Sequence, residues 1–165
     1  MTMKRLFVLA MTCAVLATSA VAGQPSTGSA ATIEQLVPDD PATLLGLSPA
    51  QVLARFGAPA RVFAVRGAEA WQDDVVFDYG SGFSVFLFMD HVWQVRLAEP
   101  FARPVLGFSI GATTERIMAA LGSPASTTAN GYEWVLPGAA WPERLRGIID
   151  DSGTIRELYI YRADF

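Results

Sequence analysis

The sequence predicts an α+β fold: two tandem repeats, each a helix plus a three-stranded meander, with the helices on one face of an antiparallel sheet. Three observations lead there. The chain matches itself at a shift of 65 residues, each matching segment carries the signals of a short helix, and a strand-rich stretch follows each one.

The self-match lays Leu45-Gly46-Leu47-Ser48-Pro49-Ala50-Gln51-Val52-Leu53-Ala54-Arg55-Phe56-Gly57-Ala58-Pro59 on Ile110-Gly111-Ala112-Thr113-Thr114-Glu115-Arg116-Ile117-Met118-Ala119-Ala120-Leu121-Gly122-Ser123-Pro124 without a gap. Ser48 and Thr113 stand where a hydroxyl accepts the free N–H groups of a helix start, and Pro49 and Gln51 add a first-position proline and a capping box. Val52, Leu53 and Phe56, like Ile117, Met118 and Leu121, form one apolar stripe. Gly57 and Gly122 suit the left-handed conformation that ends a helix, and Pro59 and Pro124 prevent resumption.

Strands are predicted at Val75–Tyr79, Phe83–Met89 and Val92–Leu97 after the first helix, with Gly80-Ser81-Gly82 and Asp90-His91 as turns. After the second they fall at Tyr132–Leu136, Leu145–Ile149 and Thr154–Tyr161, with Asp150-Asp151-Ser152-Gly153 as a hairpin turn. Repeat one then covers about residues 43–103 and repeat two about 104–165.

The beginning of the chain has a different character. Lys4 and Arg5 precede an uncharged apolar run from Leu6 to Ala17, and Ala20-Val21-Ala22 supplies small residues in an A-x-A pattern. Residues 1–22 thus read as a secretory signal peptide, and residues 23–42 as a flexible leader containing a short helical turn at Ile33–Val37. A chain cleaved after Ala22 loses Cys13, its one cysteine, and with it disulfides, thiolate nucleophiles and cysteine metal sites. It retains ten arginines and no lysine, and its formal charge moves from -4 to -6. Nucleic acid and stable membrane insertion are poor expectations for such a chain; a periplasmic or secreted protein is the natural one.

The unit Gly-x-Ser/Thr-x-x-x-Val/Ile-x-x-x-Phe/Leu-Gly-x-Pro followed by three antiparallel strands resembles the repeat of the beta-lactamase inhibitory protein fold. It is also similar to the outer-membrane assembly lipoproteins of the SmpA/OmlA (BamE) type. The resemblance covers about residues 43–165. It implies helices over one sheet face, the other face open to a partner, and a non-enzymatic module that binds another exported or envelope protein.

Alternation within the strands selects the residues of that open face. A two-residue turn at Asp90-His91 pairs Phe88 with Trp93 and sets Phe86, Phe88, Trp93, Val95 and Leu97 beneath the helices, joined by Leu158 and Ile160. Val85, Leu87, Gln94 and Arg96 then face outward with Glu157, Tyr159 and Tyr161, a composition that suits a protein interface. These seven are the candidate binding residues. Other aromatics, among them Trp71, Trp134 and Trp141, are expected mostly in the core.

Other chemistry is weakly supported. Gly107-Phe108-Ser109-Ile110-Gly111 fits the G-x-S-x-G nucleophile elbow of a serine hydrolase, but the one histidine, His91, precedes the serine, and Gly111 already has a role as the partner of Gly46. His91 itself reads as a turn residue. One histidine without cysteine excludes the usual zinc sets, and neither Asp73-Asp74 nor Asp150-Asp151 has the alternating oxygens of a calcium loop, so no metal or cofactor is expected. A carrier of a small apolar ligand would need a cavity between helices and sheet.

Intact mass of protein recovered outside the producing cell should correspond to a chain starting near Gly23 without lipid. A chain starting at Cys13 and carrying acyl groups would contradict the assignment of the signal.

Overall fold

The computed structural model describes residues 31–69, 72–137 and 141–164. The expected signal peptide, the first part of the leader, and Trp71 lie outside the described residues. The compact unit runs from Ala31 to Phe165, and it is an α+β fold built on one eight-stranded antiparallel sheet.

In chain order the elements are α1 (Ile33–Leu36), a 3-10 turn (Pro41–Leu44), α2 (Pro49–Phe56), β1 (Arg61–Val65), β2 (Asp74–Asp78), β3 (Phe83–Phe88), β4 (His91–Ala98), α3 (Thr114–Leu121), β5 (Ser126–Thr128), β6 (Gly131–Leu136), β7 (Glu143–Ile149) and β8 (Ile155–Arg162). The sheet order is β1-β2-β3-β4-β8-β7-β6-β5. Each of α2 and α3 is thus followed by four strands, not three. The extra strands β1 and β5 are the two sheet edges, where pairing on one side only leaves a weak sequence signal. Residues 31–42 also belong to the unit instead of to a leader. Val37 and Ala42 are buried, and the Arg55 guanidinium donates twice to the Leu36 carbonyl, at 3.1 and 3.0 Å.

The helix signals act largely as the side chains dictate. Ser48 Oγ accepts from the Gln51 N–H while the Ser48 N–H donates to Gln51 Oε1, closing a capping box with Pro49 at the first position. Thr113 makes no side-chain cap, however; Glu115 stands in the first turn, where negative charge favours the helix dipole, and the Thr114 hydroxyl donates to the Gly153 carbonyl. Gly57 and Gly122 end the helices at φ 76° and 81°. Their carbonyls then accept from aromatic side chains of the sheet: Tyr79 Oη on Gly57 at 3.3 Å and Trp134 Nε1 on Gly122 at 3.0 Å.

Two further details occur once for each helix. Gly46 N–H donates to the Val92 carbonyl and Val92 N–H to Leu47, while Gly111 N–H donates to the Ile155 carbonyl and Ile155 N–H to Ala112. Both β4 and β8 also bulge near their starts, at the third and the second residue respectively. Trp93 falls between the pairs Leu87↔Val92 and Phe86↔Gln94, and Arg156 falls between Ile149↔Ile155 and Ile148↔Glu157. The strands β4 and β8 meet at the sheet centre with Arg96 opposite Tyr159 and with Gln94↔Tyr161 and Ala98↔Glu157 disposed about that pair.

The first bulge decides the faces. The turn between β3 and β4 is Met89-Asp90, both with positive φ, one residue earlier than expected, so that His91 opens β4 opposite Phe88. Phe83, Val85 and Leu87 consequently point to the helices, and Val92, Val95 and Leu97 do so across the bulge. Phe86, Phe88 and Trp93 leave that face. Ser84 explains the choice: the expected register would place its hydroxyl among apolar side chains, whereas here it meets Asp78 on the other side. The core is completed by Val52, Phe56, Ile117, Trp134, Leu145, Leu158 and Ile160, with Phe56 against Phe83 at 5.0 Å between ring centres.

Phe83→Ala should therefore cost about 3–5 kcal/mol of unfolding free energy as a large core truncation. Phe88→Ala should cost clearly less, and urea denaturation of the two variants would reverse that order if the shifted register were wrong. Gly57→Ala and Gly122→Ala should each cost about 1 kcal/mol; the added methyl meets no atom within 4 Å, so the loss comes from backbone conformation alone.

Candidate functional site

The sheet face turned away from α2 and α3 holds ordered rows of side chains, because each strand contributes every second residue. One row runs through Glu133, Arg146, Tyr159, Arg96, Ser84, Asp78 and Arg61. The next runs through Val135, Arg144, Tyr161, Gln94, Phe86, Val76 and Phe63. Glu157 lies one row further out, opposite Ala98.

Two similar networks occupy the centre. Glu157 Oε2 accepts from Arg96 Nε at 2.8 Å and from Tyr159 Oη at 2.6 Å. Glu133 accepts from Arg144 Nη1 at 2.6 Å and, through its other oxygen, from Tyr161 Oη at 2.6 Å. Each carboxylate thus takes one guanidinium and one phenol, all four partners being held at fixed sheet positions. Trp93, displaced outward by the bulge, donates to Asp74 Oδ1 at 2.9 Å and meets the Tyr161 ring edge-on at 6.4 Å.

The charges respond accordingly. The Arg96 hydrogen bond holds the Glu157 carboxyl below its ordinary value against the opposing effect of burial, and Glu157 in turn raises the Arg96 guanidinium. Burial raises the Tyr159 phenol, and its bond to Glu157 adds to the shift. Tyr161 is pushed up to about 12, first by burial and then by Glu133. Burial raises Asp74 despite the Trp93 bond. Such a face presents fixed phenol, indole and guanidinium surfaces, with each of the two central carboxylates matched by a guanidinium.

Of the seven expected binding residues, Gln94, Arg96, Glu157, Tyr159 and Tyr161 share this face. Val85 and Leu87 do not; at 0% and 6% exposure they lie in the core, because the turn sits one residue earlier. Sequence reasoning missed Trp93, Asp74, Glu133 and Arg144. The alternation Arg144-Leu145-Arg146 beside Glu133-Trp134-Val135 carried the signal for the last two.

Ser109 lacks the setting of a nucleophile elbow. Val105 and Phe108 close a tight turn through Leu106 and Gly107 at positive φ, and α3 begins five residues after the serine. Gly107 thus serves a hairpin, while Ser109 lines a surface depression with Phe108, Ile110 and Arg116. Asp150 is a turn former: its Oδ1 accepts from Ser152 N–H at 2.9 Å and Thr154 N–H at 3.0 Å. Trp134 is core as expected, and Trp141 packs part-buried against that core, with its ring centre 4.1 Å from the Arg162 guanidinium and its indole N–H donating to Glu143.

For a phenol with a raised pKa, the folded state is favoured below the unfolded value near 10 and that advantage fades as pH climbs through the folded value. Absorbance titration at 295 nm should therefore show steps near pH 12 from Tyr79 and Tyr161. Tyr161→Phe should remove one of them. Ionisation of Tyr161 near pH 10 would mean that its burial, and with it the bond to Glu133, is absent. Glu157 has the opposite sign: its contribution is present above the unfolded carboxyl value and declines as pH falls through the depressed one.

No protein-family profile and no characterised protein matches the chain. Solved structures similar to it include an extracellular protein containing an SCP domain from Bacillus anthracis, at 12% identity and TM-score 0.49, covering 86% of this chain and 49% of that one. A DUF4309-family protein from Bacillus subtilis has 17% identity and TM-score 0.45, covering 70% and 78%. A cysteine-rich secretory protein from Staphylococcus aureus has 12% identity and TM-score 0.47, covering 74% and 44%. The chain thus spans about half the length of the first of these.

Proposed function

We propose that the protein is an exported, non-enzymatic binding module that engages another exported or envelope protein through the open sheet face centred on Arg96 and Tyr159. The observation that carries this reading is the double network of Tyr, Arg and Glu at mid-sheet, with Trp93 beside it. Tyr, Trp and Arg are the residue types that dominate protein interfaces, since they combine large contact area with directed polar groups and lose little side-chain freedom on binding. Here hydrogen bonds within the sheet already fix their orientation, which lowers the entropy lost on association.

We further read the domain as two tandem copies of one helix-plus-meander unit. The self-match at a shift of 65 residues, the paired glycine ties to Val92 and Ile155, and the bulges at Trp93 and Arg156 support it. On this reading the two copies meet about the Arg96–Tyr159 pair. The resemblance to inhibitory-protein and assembly-lipoprotein repeats favours the same class of function. An export route rests on the basic-apolar-small pattern of residues 4–22; among the described residues, no helix is long and apolar enough to cross a membrane.

Arg96→Ala combined with Tyr159→Ala should lower folding stability by about 1–3 kcal/mol, since it opens a part-buried hydrogen-bond network, and leave the protein folded. The same double variant should fail to capture the partner from the exported fraction of the producing cell, while Ser109→Ala captures it normally. Undiminished capture by the double variant would remove the site.

A further inference from the structure

The two edges of the sheet differ in a way that points to a second interaction surface. At one edge β5 is three residues long, Ser126-Thr127-Thr128, short and hydroxyl-bearing. At the other β1 is five residues long, Arg61-Val62-Phe63-Ala64-Val65, and every one of them is exposed. Natural sheets blunt their edges by shortness, charge or cover, because a free edge presents unpaired N–H and C=O groups to any extended chain. β5 follows that pattern. β1 has none of these protections across its middle, where Val62 is 58% and Phe63 44% exposed, with Val65 and Val75 exposed beside them.

Each end of this apolar strip carries an exposed arginine. Arg61 is ion-paired with Asp78 and Arg66 with Asp73, which fastens β1 to β2 at each end of the apolar pairs Val62↔Phe77, Phe63↔Val76 and Ala64↔Val75. The arginine side chains are nevertheless 75% and 79% exposed. A guanidinium carries five N–H donors in a planar fork, so each retains donors for a second carboxylate.

We propose that β1 is a docking edge for an extended segment of another protein, apolar in its centre and acidic at both ends, which adds to the sheet as a ninth strand. Backbone hydrogen bonds supply the attachment, and Val62, Phe63, Val65 and Val75 receive apolar side chains on the two faces. Arg61 and Arg66 select for acidic flanks five residues apart. A second copy of this chain fits less well, since antiparallel self-pairing that matches Val62 to Val65 sets Arg61 opposite the Arg66 of its partner, and like charges directly opposite are destabilising.

The probe is a fluorescein-labelled peptide containing Glu-Val-Val-Ile-Val-Glu between Gly-Ser caps, with a Lys-flanked counterpart and two versions N-methylated on alternate residues. Binding to the isotope-labelled protein should shift amide resonances of residues 61–66. The Lys-flanked peptide should bind about tenfold more weakly or worse, as reversed flanking charge opposes Arg61 and Arg66. Methylation in one frame should abolish binding and in the other leave it intact, a test that alters no residue of the protein. Arg96→Ala with Tyr159→Ala should leave peptide binding unchanged, so this edge and the open face succeed or fail separately. The proposal is overturned by absence of binding at millimolar peptide, by equal binding of both flanks, or by indifference to methylation. It is likewise overturned if sedimentation equilibrium shows a dimer of the protein that Phe63→Asp disperses.

Discussion

The antiparallel pairing of β4 with β8 is the contact on which the rest of the molecule depends. These are the two eight-residue strands, and they lie at the centre of the sheet, so each hydrogen bond between them is shielded by strands on both sides. Their alternation divides the molecule. Val95, Leu97, Leu158 and Ile160 project under the helices at full burial, while Gln94, Arg96, Glu157, Tyr159 and Tyr161 project to the other side. Shifting β8 by one residue against β4 would turn Glu157, Tyr159 and Tyr161 into the core and Leu158 and Ile160 into water. Few constraints in the chain are stronger, and it holds core and candidate site in register together.

The sheet also determines how the helices sit. Short helices such as α2 and α3, of eight residues each, have little stability alone and depend on packing of one apolar face. Val52 and Phe56 from α2 and Ile117 from α3 provide that contact. The phenol of Tyr79 and the indole of Trp134 reach the carbonyls at the helix ends, satisfying acceptors that a helix terminus leaves open. Backbone ties from Gly46 and Gly111 to the starts of β4 and β8 fix the approach of each helix.

Much of this was legible in the sequence because local chemistry and tertiary demand agree there. Ser48 with Gln51, Gly57 and Gly122 mark helix ends by backbone rules that tertiary contacts do not override. The six inner strands follow from alternation between turn residues. The edges β1 and β5 were illegible for the opposite reason, being paired on one side and little buried. The β3 faces misled because Val85, Phe86, Leu87 and Phe88 are all apolar, leaving Ser84 as the only polar marker, while the bulge at Trp93 depends on a turn one residue earlier than the Asp90-His91 pair suggests. The faces were therefore assigned as observed on β4 and β8 and reversed on β3. Glu133 and Arg144 were missed because they complete a network only once β6 and β7 lie beside β8.

A chain beginning at Gly23 contains no cysteine, which makes single-cysteine variants a clean report on the two faces. Thiol reactivity at positions 85–88 of β3 and 94–97 of β4 tests the arrangement most directly. Cysteines replacing Phe86, Phe88, Gln94 and Arg96 should react readily, and those replacing Val85, Leu87, Val95 and Leu97 should be protected until the protein unfolds. Reactive positions 85 and 87 beside protected 86 and 88 would contradict the account, because the face proposed to bind a partner would then be assembled from the wrong residues.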